Sequence, residues 1–179
     1  MNSGSDTETT APVLVTARLS LRRLTIDDAA FMLLLVNEPS FLEFIGDRGV
    51  RSLEDAQNYL RNGALASYAQ HGFGLYRVAL REGGTPIGIC GLIRRDGLED
   101  ADIGFAFLPE FWGVGYAGEA AGAVVVHAHY DIGLTRLAAI TDPINVRSIR
   151  LLEKLGLRFN RPMQLSTDTS TVSLYLRDL

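Results

Sequence analysis

The chain has 179 residues, of which 47% are hydrophobic and 21% are charged, and its formal net charge is −4. This length and composition predict one folded domain with a buried core, and the lack of an apolar run of roughly 18 residues argues against a membrane protein. The acidic balance argues against a nucleic-acid partner, because sequence-independent binding to phosphates needs a concentrated basic surface.

Residues 1–12 are polar and acidic, and they predict a disordered N-terminal tail ahead of a single folded domain over residues 13–179. The tail lacks the apolar stretch of a secretory signal. The sole cysteine, Cys90, lies in the apolar run PIGICGL, so neither a disulfide nor a thiolate metal site can form within the chain. These features predict a cytoplasmic protein without a bound metal.

The first elements predicted are a strand and two helices. From Val13, apolar residues alternate with polar ones, as in a half-buried strand. Thr25 is a typical N-cap for a helix that Pro39 ends, and Ser52 is a typical N-cap for a second helix over about 53–70. Arginines of the first strand, including Arg18, have no evident ligand.

Residues 73–108 predict three antiparallel strands. The first two are joined at residues 82–85, where paired glycines supply the positive φ of a tight hairpin turn. A second turn at Asp96-Gly97 leads into the third strand, which ends near Leu108. Short turns between consecutive strands are typical of an antiparallel meander.

The remaining sequence predicts a helix ending near Tyr130, a strand over 135–141, another helix, and two final strands. Asn145 is the expected N-cap of the later helix, and Gly156 closes it. Arg147 in that helix is expected to lie on a solvated face.

The stretch FWGVGYAGEA places Gly113, Gly115 and Gly118 in the spacing G-x-G-x-x-G at the start of a helix. Glycines at such a position let backbone N–H groups approach an anion, and the helix N-terminus adds about half a positive charge. The loop could therefore bind a phosphate without lysine or arginine. The same glycines could instead form a tight turn and allow close helix packing, and the spacing alone leaves both interpretations open.

A dinucleotide is one candidate ligand for this loop, because Asp142 ends the next strand about where an acid would contact a ribose. However, such a loop normally abuts its strand and begins a parallel sheet. Here the residues PEFW intervene, and the preceding strands form a meander. Pro143 and the Asn145 cap follow Asp142, so a turn also explains it. We therefore place a dinucleotide behind the other interpretations of the loop.

The order of elements and four motifs resemble the GNAT superfamily of acyl-CoA-dependent N-acyltransferases, and within it the RimJ/RimL-type branch. The motifs are TARLSLR, GICGL, ADIGFAFLPEFWGVGYAGEA and NVRSIRLLEKLGLRF. The resemblance implies an α/β (α+β) fold, with a mixed, mainly antiparallel central sheet that is flanked by helices and splayed between its fourth and fifth strands. It also implies transfer of an acetyl group from acetyl-CoA directly to a primary amine, such as a protein N-terminus or a small-molecule amine. Homodimers are common among such proteins, which leaves a homodimer open for this chain.

By the resemblance, the superfamily's Q/R-x-x-G-x-G/A loop maps onto residues 112–117, with Trp112 in place of Gln or Arg. The loop amides would hold the pyrophosphate of coenzyme A, the end of the preceding strand would pair with the pantetheine arm, and a backbone N–H near Leu108 would polarise the thioester carbonyl. The implied cofactor-binding residues are Phe107, Leu108, Gly113, Val114, Gly115, Tyr116, Ala117 and Asn145.

The resemblance also implies catalytic roles for Ser148 and Asp102. Ser148 matches the hydroxyl that protonates the leaving thiolate, although it could simply support the first turn of its helix. Asp102 matches the acid of the family's AEIGY stretch and is the candidate base, although an exposed strand carboxylate would explain it equally well. Residues 139–141 carry no carboxylate where many relatives have a glutamate, which leaves Glu110 and Glu43 as further candidates.

The amine acceptor would contact the segment that contains Phe41, Glu43 and Phe44, again by resemblance. This segment is compatible with a short buried helix or with a loop that lines a pocket. Two other functions stay open: a non-catalytic acyl-CoA-binding regulatory module, suggested by the missing strand glutamate, and an NAD(P)-binding oxidoreductase.

Overall fold

A computed structural model describes residues 11–165 and 170–179 of the protein. Within these residues, eight strands form one sheet in the order β1-β2-β3-β4-β5-β6-β8-β7. The strands are β1 (Pro12–Val15), β2 (Leu19–Arg23), β3 (Leu75–Leu80), β4 (Pro86–Ile93), β5 (Asp102–Phe107), β6 (Arg136–Thr141), β7 (Arg158–Gln164) and β8 (Thr171–Asp178). All neighbouring strands are antiparallel except β5 and β6, which are parallel. The predicted mixed, mainly antiparallel sheet is thus confirmed.

The helices lie at the predicted places in the chain. They are α1 (Ala29–Val36), α2 (Pro39–Phe44), α3 (Leu53–Leu60), α4 (Ala66–His71), α5 (Tyr116–Tyr130) and α6 (Val146–Lys154). A π-helical turn, Arg61–Leu65, joins α3 to α4, so the predicted helix over 53–70 is continuous but contains one wide turn. The segment that contains Phe41 was compatible with a short helix or a loop, and it forms the short helix α2.

The N-terminal prediction needs two corrections. The strand expected from Val13 is in fact the hairpin of β1 and β2, because the Thr16 hydroxyl accepts a hydrogen bond from the N–H of Leu19 at 3.0 Å and stabilises a turn between them. Pro12 already belongs to β1, so the predicted tail extends one residue too far. Residues 1–10 of that predicted tail lie outside the described residues.

Two hydrophobic cores cover the two faces of the sheet. Helix α5 packs on one face through small side chains, among them the fully buried Ala120 and Ala121, which allow the helix to approach the strands closely. Helices α1 to α4 pack on the other face, where Met32 and Leu60 are buried. Alternation along the strands explains the division, since successive side chains point to opposite faces.

The parallel pair of β5 and β6 positions the candidate site. The two strands are in register at one position, where Asp102 lies opposite Ala138, whereas β5 pairs with β4 along its whole length. Because strands β1 and β2 replace the single strand expected, β5 and β6 correspond to the fourth and fifth strands counted from the sequence. The predicted splay therefore lies beyond Asp102, toward the carboxyl ends of both strands, which is the usual position of a ligand crevice beside parallel strands.

Candidate cofactor and catalytic site

The glycine run forms the loop between β5 and α5. Gly113 and Gly115 have φ angles of 80° and 88°, in the left-handed region that other residues rarely adopt. A Cβ atom at Gly113 would meet no atom within 4 Å, so backbone conformation rather than crowding requires glycine there. Gly115 is the N-cap of α5 and offers no side chain to its first N–H groups. These N–H groups therefore suit an anionic ligand.

The third glycine of the run lies where α5 contacts α6. A Cβ atom at Gly118 would lie 3.6 Å from Cδ1 of Leu151 in α6, an ordinary van der Waals distance, so this contact does not by itself require glycine. The positive φ angles of Gly113 and Gly115 fit both a tight turn and an anion-binding loop.

The end of β5 presents backbone groups alternately to β4 and to the gap beside β6. The N–H of Leu108 donates to the carbonyl of Ile87 at 2.9 Å and therefore points toward β4. By the alternation of an antiparallel ladder, the N–H of Phe107 points into the gap. Within the Leu108 region expected from the sequence, the N–H of Phe107 is thus the candidate donor for a thioester carbonyl.

Trp112 connects the glycine loop to the end of β5 and to helix α6. Its indole Nε1 donates to the carbonyl of Phe107 at 2.8 Å. The guanidinium of Arg147 lies over the indole ring, 4.7 Å from the ring centroid. Such stacking of a cation on an aromatic face is attractive. Arg147 is exposed, as expected, and its contact with Trp112 places the start of α6 beside the loop.

The start of α6 carries two of the predicted residues. Oδ1 of Asn145 accepts a hydrogen bond from the N–H of Ser148 at 3.1 Å, which confirms Asn145 as the N-cap. The side chain of Ser148 is half-buried, and its hydroxyl has no hydrogen bond among residues 11–165 and 170–179. The hydroxyl is consequently available to a ligand in the crevice.

Asp102 is buried rather than exposed, with a relative accessibility of 1%. Oδ2 forms an ion pair with Nε of Arg95, and Oδ1 has no hydrogen bond of normal geometry within the described part of the chain. Burial raises the pKa of Asp102 to about 6, against the opposing effects of Arg95 and, to a smaller extent, of the backbone N–H of Ile140. A carboxyl group with this pKa and an unpaired oxygen can accept a proton near neutral pH.

The other candidate carboxylates differ from Asp102 in their surroundings, since Glu110 and Glu43 are both exposed. Phe41 is buried in the helical core, at 5% accessibility, and Phe44 is half-buried on the same helix. Phe41 thus belongs to the helical core, whereas Glu43 and Phe44 are the residues of α2 that a ligand could reach.

Two arginines beside these candidate groups were not assigned from the sequence. Arg95 faces Asp102, and Arg18 contacts the glycine loop and Glu119. An isolated arginine in a loop or an edge strand carries no sequence signal of its own, so only the tertiary structure identifies these contacts.

The alternatives to this site find less support. Oδ1 of Asp142 accepts a hydrogen bond from the N–H of Ile144 at 2.9 Å, the turn role considered for it above. Cys90 is fully buried, and burial raises the pKa of its thiol, which makes it a poor nucleophile. In the described residues there is no cluster of three metal-binding side chains and no helix long and apolar enough to span a bilayer.

Comparison with known proteins assigns this arrangement to a family. Residues 18–158 match the acetyltransferase (GNAT) domain. The chain is 30% identical to the uncharacterized N-acetyltransferase YoaA of Bacillus subtilis (strain 168), over 81% of this chain and 82% of that one.

Solved structures agree with this match. An acetyltransferase from Agrobacterium tumefaciens superposes with a TM-score of 0.79 at 25% identity, covering 95% of this chain and 96% of that one. RimL, a ribosomal alpha-N-protein acetyltransferase in complex with coenzyme A, shares the fold with a TM-score of 0.74 at 16% identity, covering 94% and 98%. The chain belongs to the GNAT acetyltransferase family, and it is an acyl-CoA-dependent acetyltransferase with acetyl-CoA as co-substrate.

Proposed function

We propose that the enzyme transfers the acetyl group of acetyl-CoA directly to a primary amine, within a ternary complex and without an acetylated enzyme intermediate. The observation that carries this proposal is the loop of Gly113 and Gly115, which lies at the start of α5 and beside the gap between β5 and β6. A pyrophosphate at the loop would direct the rest of coenzyme A along that gap.

The loop amides of residues 113–117 would bind the pyrophosphate of acetyl-CoA, with the helix N-terminus adding a favourable field. The pantetheine arm would lie along the unpaired side of β5, near Phe107 and Leu108. Asn145 would contact the arm from the other side, through the amide nitrogen that its capping bond leaves free. These assignments require only backbone groups and one amide, in accord with the absence of lysine from the loop.

Acetyl transfer needs a neutral amine, stabilisation of the oxyanion and a proton for the leaving thiolate. The amine nitrogen attacks the thioester carbonyl, the C–S bond breaks, and the acetamide forms. We assign oxyanion stabilisation to the N–H of Phe107 and protonation of the thiolate to Ser148. Asp102 would take the proton released by the amine through a water molecule, since its pKa of about 6 leaves it ionised at neutral pH.

For the acceptor, we propose a protein N-terminus or a small-molecule amine that approaches from α2, where Glu43 and Phe44 are reachable. The exposed carboxylate of Glu43 would favour a cationic amine, and Phe44 would contact apolar parts of it.

The four sequence motifs and the shared fold with RimL support a place in the RimJ/RimL-type branch. The resemblance also leaves a homodimer open, and sedimentation analysis of the purified protein would measure whether two copies associate.

The test is isothermal calorimetry of the purified protein with acetyl-CoA and, separately, with NADH. We expect micromolar binding of acetyl-CoA alone. A panel of peptides and small-molecule amines would follow, with release of the CoA thiol as the readout. Binding of NADH alone would overturn the proposal, whereas acetyl-CoA binding without thiol release for any amine would favour the non-catalytic module.

A further inference from the structure

Arg18 contacts three separate parts of the glycine loop and its helix. Its Nε donates to Oε2 of Glu119 at 2.6 Å, and its Nη1 donates to the carbonyl of Val114 at 2.9 Å. The guanidinium also lies over the ring of Tyr116, 4.6 Å from the centroid. The side chain comes from the turn before β2, so these contacts join two parts of the chain that are far apart in sequence.

The bond to Val114 fixes the orientation of a peptide group in the loop. The carbonyl of Val114 and the N–H of Gly115 belong to one planar trans peptide, in which they point in opposite directions. With the carbonyl held by Arg18, the N–H of Gly115 is directed away from Arg18. Gly115, on one side of this peptide, tolerates many backbone conformations, so the peptide group can rotate on that side when nothing holds it.

The bonds from Arg18 to Glu119 offset the negative charge of Glu119 beside the proposed phosphate site. Glu119 lies in the first turn of α5, near the positive end of the helix that would otherwise attract an anion. Burial raises the pKa of Glu119, but the hydrogen bonds from Thr16 and Arg18 outweigh it and lower the pKa overall, so the carboxylate is ionised. Arg18 places a positive charge 2.6 Å from that carboxylate and reduces its repulsion of a bound phosphate.

We propose that Arg18 is a positioning residue for cofactor binding, which holds the peptide between Val114 and Gly115 in the orientation that binds the pyrophosphate and neutralises Glu119 beside it. The inference rests on the proposed cofactor loop. It assigns to Arg18 an effect on the part of acetyl-CoA that contains the pyrophosphate, and no effect on the pantetheine arm.

The test is the affinity of three variants for acetyl-CoA and for S-acetylpantetheine, which lacks the pyrophosphate. We expect Arg18→Ala to weaken acetyl-CoA binding by about tenfold, since an arginine that holds two acceptors is lost, and to leave S-acetylpantetheine binding unchanged. Adding Glu119→Gln to Arg18→Ala should restore part of the affinity, because it removes the uncompensated charge. Arg81→Ala is the matched control, since Arg81 donates to the carbonyls of Thr16 and Ala17 in the same turn without touching the loop.

The outcomes separate this inference from the proposed function. If the wild-type protein does not bind acetyl-CoA, the cofactor loop itself is refuted. If the wild-type protein binds and Arg18→Ala binds equally well, or loses affinity for both ligands alike, the positioning role is refuted and the loop assignment stands. Thermal unfolding of each variant, compared with that of Arg81→Ala, would identify a loss of affinity that comes from unfolding. If Arg18→Ala is unfolded, Arg18→Lys would replace it, and we expect Arg18→Lys to bind acetyl-CoA more weakly than wild type but more tightly than Arg18→Ala.

Discussion

Replacement of Asp102 by Asn should stabilise the protein and impair its activity. The folded chain raises the pKa of Asp102 from 3.8 to about 6 because the carboxyl group is buried. A difference of about two pKa units corresponds to about 3 kcal/mol between the ionised and the neutral form. Asparagine resembles the neutral form in shape and cannot ionise. Arg95 would lose a charged partner, but its side chain is 26% exposed and can be solvated.

The sign of the pH dependence follows from proton linkage. Between pH 3.8 and about 6, the folded chain retains a proton on Asp102 that the unfolded chain has released. The contribution of Asp102 to stability therefore falls as the pH rises through this window and stays constant above it. Relative to wild type, Asp102→Asn should gain about 3 kcal/mol at pH 8 and about half of that at pH 5.

Urea unfolding of both proteins at pH 5 and pH 8 measures this difference. A variant that is less stable than wild type at pH 8 would refute the reasoning, because the pair with Arg95 would then stabilise the fold by more than burial costs. In the acetyltransferase assay, we expect kcat to fall roughly hundredfold or more, the usual effect of losing a general base. If Asp102→Asn is more stable and its kcat is unchanged, Asp102 is not the general base, although its ionised form still destabilises the fold as argued above.

Three further variants test the site. Gly115→Val should weaken acetyl-CoA binding by more than about tenfold in calorimetry, because a β-branched residue is strained at a φ of 88°; equal affinity in the folded variant would contradict the loop assignment. Ser148→Ala should lower kcat with little change in the Kd of acetyl-CoA, and equal turnover would reduce the serine to a residue of the first helical turn. Arg95→Gln removes a charge that lowers the pKa of the carboxyl group facing it, so the acidic limb of the kcat/KM profile should move to higher pH; a shift to lower pH, or none, would exclude that carboxyl group as the base.

The parts of the structure that sequence predicted best are those that local chemistry determines. Gly113 and Gly115 stand where the backbone takes a positive φ, and Asn145 caps its helix through the N–H of Ser148. Such features depend on a few neighbouring residues, so their patterns can be recognised in the sequence. The resemblance to a family then implied a mixed, mainly antiparallel sheet, which local patterns do not contain.

The remaining features depend on contacts between distant segments. The direction of the Leu108 N–H follows from the register of β4 and β5, and a shift of one residue would reverse it. The burial of Asp102 and its pairing with Arg95 depend on how the turn between these strands folds back. The hairpin of β1 and β2 was missed because Thr16, an ordinary strand residue by propensity, there stabilises a turn through its hydroxyl.

The hydrogen bond between the Trp112 indole and the Phe107 carbonyl limits how the proposed pantetheine arm can align with β5. An extended arm would meet an N–H donor at Phe107 but no vacant acceptor, whereas one strand repeat earlier, at Phe105, the alternation offers both groups. An arm that brings a carbonyl oxygen to Phe107 satisfies this pattern, and one shifted to bring an N–H there leaves its own donor unpaired. In the proposed binding mode, the indole of Trp112 would thus limit how far along β5 the thioester of acetyl-CoA can lie.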